Sequence, residues 1–261
     1  MKPKKSLGQN FLNNENLLSL ITDQGNISTE DIILEIGPGT GNLTKKILDK
    51  KPSRLIVIEK DKTLSENLNK KFGRNITIIN KDILDCLKNF YFKNPVKVFG
   101  NLPYNVSTEI LTSFIKLDRL NKYYKKFIFI FQKEVAERII AKVNSKHYGR
   151  LSIISSWKMD TKKIIDINPK YFYPKPKVWS SLITLSPKSD FENLIKAKNL
   201  EHITYIFFNQ RRKMVRKPMK ILFSEFEEIA LKLDIDLNLR PQNIPKDKYL
   251  KLCKIFENLA Q

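Results

Sequence analysis

Residues Asp31-Ile32-Ile33-Leu34-Glu35-Ile36 run directly into Gly37-Pro38-Gly39-Thr40-Gly41, and a helical pattern resumes at Asn42. A short apolar run closed by glycines reads as a buried strand. Glycines let the backbone turn sharply and approach a ligand where a Cβ would clash. Strand, glycine loop and helix in that order predict the first unit of a parallel α/β sheet, whose ligands sit beyond the carboxyl ends of the strands. The spacing is G-x-G-x-G, not the G-x-G-x-x-G of the dinucleotide fingerprint. Taken alone, the loop also fits a turn that needs glycine only for its conformation.

The alternation continues along the chain. Arg54–Ile58 is a second apolar run, ending at Glu59, and residues 75–79, 96–99 and 127–131 are a third, fourth and fifth. Helical spacing is expected at 14–24, 42–48, 61–72, 134–143 and 150–159. Continuous apolar strands between helices predict a doubly wound, Rossmann-like sheet covered on both faces. Right-handed crossovers bring the strand ends at Gly37, Glu59, Asp82 and Asn101 to one edge. Two late runs, 164–167 and 178–185, flank the Pro-rich turn at 173–177 with no helix between them, and predict an antiparallel hairpin at the sheet edge. Beyond Ser186-Pro187 only helical spacing is found, with breaks near Pro218 and at 241–245. The expected division is therefore 1–186, with a basic arm at 1–13, and a small all-helical domain at 187–261.

Composition narrows the function classes. The 261 residues hold 48 Lys+Arg against 27 Asp+Glu, a formal charge of +21. Such a charge favours a polyanionic partner, although most of these residues are lysines, which also serve general solubility. Arg211, Arg212 and Arg216 cluster with Lys213, Lys217 and Lys220. The two cysteines, Cys86 and Cys253, stand alone, so neither a zinc site nor a disulfide framework is expected. No apolar run is long enough to span a bilayer and the first residues lack the apolar core of a secretory signal, so a cytoplasmic protein without membrane contact is expected.

Three loops carry chemistry. Glu59 ends the strand after the glycine loop, where an acid can hold both hydroxyls of a ribose, as in S-adenosylmethionine or a dinucleotide. Asp82 follows the third strand and can accept from the exocyclic amine of an adenine, although a helix cap is the plainer reading. Gly100-Asn101-Leu102-Pro103-Tyr104 follows the fourth. Asn101 supplies an acceptor, Pro103 stiffens the loop and holds Leu102 extended, and Tyr104 offers a flat face to a base. Two carbonyls converging on an amine draw its protons and aim the nitrogen lone pair at an electrophile, with no strong base and no metal.

These residues meet a family. The arm 5–12, the glycine loop, Asn101-Leu102-Pro103-Tyr104, Gln132-Lys133-Glu134-Val135, Tyr148-Gly149-Arg150-Leu151-Ser152 and Pro174-Lys175-Pro176-Lys177-Val178 occur in order over about residues 2–186. Together with Phe208-Asn209-Gln210-Arg211-Arg212-Lys213, they resemble the ribosomal RNA adenine N6-dimethyltransferases. The resemblance implies S-adenosylmethionine as methyl donor. Its implied target is N6 of two adjacent adenines near the 3′ end of small-subunit (16S) rRNA, within an immature particle, and it implies a monomer. By the same resemblance, Asn10 and Leu12 close over the cofactor, Gly37 and Gly39 approach it, Glu59 takes the ribose and Asp82 the adenine. Asn101 and the Leu102 carbonyl receive the target amine beside Pro103, Tyr104 stacks on the flipped base, and Phe172 is the second stacking face unless it packs in the core. Lys2, Lys4, Lys5, Arg211, Arg212, Lys213 and Arg216 are the candidate RNA contacts, against the alternative of a solvated helix face for the tail cluster. Trp179 departs from the family, which usually has a small or acidic residue there. Three alternatives stand beside this reading: a large-subunit (23S) dimethyltransferase conferring antibiotic resistance, a DNA adenine methyltransferase disfavoured by Leu102, and a non-catalytic ribosome-assembly factor.

Overall fold

The computed structural model describes residues 3–4 and 7–259. Nine strands are present among them: β1 (Phe11–Leu12), β2 (Ile32–Ile36), β3 (Arg54–Ile58), β4 (Thr77–Ile79), β5 (Val96–Asn101), β6 (Tyr124–Gln132), β7 (Met159–Ile167), β8 (Phe172–Tyr173) and β9 (Ser180–Pro187). Seven form one sheet in the order β4-β3-β2-β5-β6-β9-β7, and β1 pairs with β8 in a second, two-stranded sheet. The strands from β4 through β6 are all parallel, and β9 joins antiparallel to β6. The chain begins at β2, builds outward through β3 and β4, then returns to place β5 on the other side of β2. This reversal opens a crevice between the carboxyl ends of β2 and β5. Ile36 is level with both Ile58 and Gly100, so those ends align.

The apolar runs are strands because both of their faces are covered. Ile33, Leu34, Val57, Val98, Phe99 and Phe127–Phe131 are essentially inaccessible. Phe114 packs edge-on against Phe127 and Tyr124, ring centroids 4.9 and 5.1 Å away. Helices start where polar side chains satisfy free amides. Asn14 accepts from Leu17 N ahead of Glu15–Asp23, and Asp61 accepts from Thr63 N and Leu64 N ahead of Lys62–Phe72.

The chain divides into two compact units, 1–136 with 160–187, and 137–159 with 188–261. The first ends at Pro187. The expected assignment of 137–159 to it is corrected: this stretch packs with the C-terminal helices. The reason lies in contacts distant in sequence. Tyr148 Oη donates to the Ile244 carbonyl and Trp157 Nε1 to the Glu192 carbonyl.

The second unit is helical, with Arg150–Lys158, Ala197–Phe208, Arg216–Leu222, Phe226–Lys232 and Lys246–Leu259 as its main elements. Leu200, Ile203, Phe207, Tyr249, Leu252 and Cys253 are buried. The Glu257 carboxylate accepts from Ile195 N, Lys196 N and Asn199 Nδ2, and so caps the helix Ala197–Phe208 from a distant position. Pro218 does not break a helix. It is the third residue of Arg216–Leu222, in the first turn, where its missing N–H costs nothing.

Candidate active site

A cleft of about 1200 Å³, including space open to solvent, lies at the carboxyl edge of the large sheet. Its walls are the arm from Leu7 to Leu12, the glycine loop, Glu59, Asp82 and the loop from Asn101 to Val106. The residues nominated at the four strand ends therefore come together.

Gly37 and Gly41 serve this edge differently. Gly41 has φ +79°, and a Cβ there would lie 2.5 Å from the Phe72 ring, so it allows the helix Lys62–Phe72 to pack against the loop. Gly37 has φ +64° with no atom within 4 Å of the Cβ position, which leaves a bare patch of backbone facing open space. That patch is a cradle that a side chain would fill.

Beside it stands Glu59, 6% exposed. Its carboxylate accepts from Gly39 N at 3.2 Å and Asp61 N at 2.9 Å. Burial raises its pKa and the two backbone donors oppose the shift. Each oxygen keeps a lone pair for a further donor. Asp82 caps the turn Ile83–Cys86 through Leu84 N, the plainer of its two readings, and also lines the cleft. Burial pushes its pKa up, but the Lys60 ammonium at 2.8 Å and the Leu84 N–H together outweigh this and hold it low.

The Asn101 amide is oriented by the arm. Its Nδ2 donates to the Asn10 carbonyl at 2.6 Å, which leaves Oδ1 as an acceptor. The Leu102 side chain is buried and anchors the loop. Half-buried Tyr104 is tied at its hydroxyl to Ser180 Oγ, 2.5 Å away at the start of β9. Its pKa is raised by burial. The arm is fixed by pairing of Phe11 with Tyr173 and Leu12 with Phe172, and by Asn42 Nδ2 donating to the Leu12 carbonyl.

Several nominated residues sit elsewhere than expected. Phe172 is 4% exposed and belongs to the hydrophobic core with Leu12, Ile130 and Leu182, so it packs rather than presenting a face to the cleft. It is held there because β8 pairs with the arm. Lys4 pairs with Asp61 at 2.9 Å. Arg211 donates to Gln242 Oε1 and to the Lys146 carbonyl, and Arg216 pairs with Glu227 at 2.8 Å. Arg212 and Lys213 are exposed, in a turn between two helices rather than on a helix face. Lys2 and Lys5 lie outside the described residues.

Two features escaped the sequence reading. Asp61 was legible only as the start of a helix, yet its carboxylate receives both Lys4 and Gln9, its pKa held low by them against burial. Glu35 passed as part of a strand. Its carboxyl is buried on the cleft wall, takes a hydrogen bond from Thr44 Oγ1 at 2.7 Å, and has a pKa raised by burial to about 8.

A family model described as ribosomal RNA adenine dimethylase matches residues 1–258. The chain is 51% identical over 259 residues to the ribosomal RNA small subunit methyltransferase A of Pelagibacter ubique (strain HTCC1062), covering 99% of this chain and 98% of that one. It is 40% identical to the protein of the same name from Wolbachia sp. subsp. Brugia malayi (strain TRS), over 99% and 98% of the two chains. Among solved structures, a dimethyladenosine transferase from Plasmodium falciparum superimposes with a TM-score of 0.77 at 25% identity, over 96% of this chain and 98% of that one. The 23S rRNA methyltransferase ErmE, with a TM-score of 0.68 at 20% identity over 96% and 100% of the chains, shares the fold.

Proposed function

The chain belongs to the ribosomal RNA adenine dimethylase family, and from that premise we propose that it dimethylates N6 of two adjacent adenines near the 3′ end of small-subunit rRNA. The names of the relatives at 51% and 40% identity support the small-subunit target. An immature small subunit in the cytoplasm is the proposed substrate particle. Action as a monomer is part of the same proposal.

S-adenosylmethionine, the family's methyl donor, supplies a sulfonium-activated methyl group when bound. The residues present fit it. Gly37 leaves room for close backbone approach, Glu59 has acceptors for two ribose hydroxyls, and Asp82 is an ionised acceptor for an adenine amine. The Asn10–Leu12 arm lies across the same cleft. The target base must leave its helix or loop to reach this depth. Tyr104, held by Ser180, presents a ring for it to stack on. Asn101 Oδ1 and the Leu102 carbonyl accept the two N–H bonds of the exocyclic amine. Their pull localises the nitrogen lone pair and directs it at the methyl group. Each transfer would form an N–CH₃ bond as the donor's S–CH₃ bond breaks, leaving the donor a neutral thioether, with one amine proton released to solvent; after the first, one N–H remains to be held, and a second round would give dimethyladenosine. Neither step requires a residue to act as a strong base.

The observation that carries this reading is the Asn101 amide, whose Nδ2 is occupied by the arm so that Oδ1 is left to accept. The test is transfer of labelled methyl from S-adenosylmethionine to separately purified, unmethylated small and large subunits, followed by nucleoside analysis. N6,N6-dimethyladenosine from the small subunit alone is expected. Label in the large-subunit rRNA overturns the target. Tight binding to an immature small subunit with no label overturns the chemistry in favour of an assembly role.

A further inference from the structure

We infer that Trp179 is a stacking platform at the mouth of the cleft for the unpaired RNA base next to the target adenine. The inference rests on the rRNA reading above. Trp179 immediately precedes β9, whose first residue, Ser180, pairs with Gln132 at the end of β6. Because β9 runs antiparallel to β6, its start lies at the same edge as the carboxyl ends of β2, β3 and β5. Ser180 Oγ is bonded to the Tyr104 hydroxyl. One residue therefore links the target-base platform to the indole.

The indole is 46% exposed, whereas the other tryptophan, Trp157, is 4% exposed with its N–H bonded to a carbonyl. The backbone at Trp179 is fixed, its carbonyl accepting from Lys133 N at 2.9 Å. The Lys133 ammonium is 6.0 Å from the ring centroid and forms an ion pair with Asp166 at 2.9 Å, so a cation stands beside the ring. Exposed Lys175 and Lys177 precede it in the Pro-rich turn, and the Tyr173 ring beyond them is 59% exposed. Flat rings alternating with ammonium groups beside a base pocket suit a single strand, whose bases stack while its phosphates meet the lysines. A protein surface offers no such repeat of planar faces and fixed negative charge.

The experiment has two readouts. In the first, the wild-type chain and its Trp179→Phe variant are titrated with single-stranded oligoadenylate RNA while tryptophan emission is followed. Trp157 is common to both, so their difference reports Trp179. Saturable quenching of that difference signal is expected, and a signal that RNA leaves unchanged overturns the proposal. In the second, methyl transfer to immature small subunits is measured. Loss of one base–aromatic stack in Trp179→Ala should raise KM about tenfold with kcat nearly unchanged, and Trp179→Phe should restore most of the loss. Wild-type KM in the alanine variant, or no recovery with phenylalanine, also overturns it. If the wild-type chain transfers no methyl group to the particle, the functional reading fails, while the quenching result still decides whether the indole stacks.

Discussion

Alanine at two positions of one loop separates packing from ligand binding. Gly37 and Gly41 both have left-handed backbone, at φ +64° and +79°. An alanine at either position therefore carries a similar conformational cost, ~1–2 kcal/mol. Their surroundings differ. At position 41 the new Cβ meets the Phe72 ring at 2.5 Å and Leu68 Cδ2 at 2.9 Å. Leu68 is buried, so relief requires the helix Lys62–Phe72 to shift, and overpacking of this kind adds ~1–3 kcal/mol. At position 37 no atom lies within 4 Å, so nothing is added to the conformational cost. Urea unfolding should therefore show Gly41→Ala less stable than Gly37→Ala by ~1–3 kcal/mol. Binding should diverge from stability. The methyl group at 37 occupies the cleft, and a loss of ~1.4 kcal/mol in S-adenosylmethionine binding appears as a tenfold weaker Kd by calorimetry. Equal stability of the two variants refutes the packing argument. Wild-type donor affinity in Gly37→Ala refutes the cradle.

Other substitutions examine the remaining parts of the site. Asn101→Ala should lower kcat by ~10²–10³-fold, as for loss of one preorganised polar group, with donor affinity nearly unchanged; wild-type turnover removes Asn101 from the chemistry. Glu59→Gln keeps one acceptor oxygen but sets its N–H₂ against the other of the two backbone donors, Gly39 N or Asp61 N, so S-adenosylmethionine should bind ~10–100-fold more weakly by calorimetry, and an unchanged Kd refutes its contact with the ribose. Glu35 has a folded pKa near 8 against an ordinary 4.5, so the native state holds a proton that the unfolded state gives up. Its contribution is therefore favourable below about 4.5 and is lost as pH rises toward 8; Glu35→Gln should unfold with a flatter pH dependence over that window, and parallel curves in urea refute the assignment. Reversing charge at Arg212 and Lys213 together should weaken RNA binding and lower the slope of log K against log salt by about 2, whereas an identical slope places the phosphate contacts elsewhere.

Much of the edge that carries the candidate site was legible because buried parallel strands are nearly continuous apolar runs. Arg54–Ile58 is a strand over the same residues the run defines, and the loops after β2, β3 and β5 follow from where their runs end. The apolar run at 164–167 marks only part of β7, which spans Met159–Ile167 at the edge of the sheet. Lys162 and Lys163 are exposed along it, so its pattern is broken by charge. The place of 137–159 was illegible for a different reason. Its partners Glu192 and Ile244 are distant in sequence, and no local pattern encodes such pairing. Phe172 illustrates the same limit, since an aromatic before a Pro-rich turn reads alike whether it faces a ligand or the core, and only the β1–β8 pairing decides.

Charge shows most sharply where sequence and structure part. Net charge says that phosphate is a fitting partner, but each cation is then claimed or released by its neighbours. Lys4 stands in the basic arm and reads as an RNA contact, yet Asp61 takes its ammonium, and Gln9 donates to the same carboxylate oxygen. That pairing makes Lys4 part of what fastens the arm beside the cleft. Arg211 holds the chain at Lys146 and Gln242, and Arg216 engages Glu227. A phosphate contacting any of these three must first displace a protein acceptor, which removes much of the gain from releasing counterions. Arg212 and Lys213 are exposed in the turn between those two arginines. Within the arginine-rich segment, the salt dependence of RNA binding should therefore follow Arg212 and Lys213, while substitution of Arg211 should register first as a loss of stability in the helical unit.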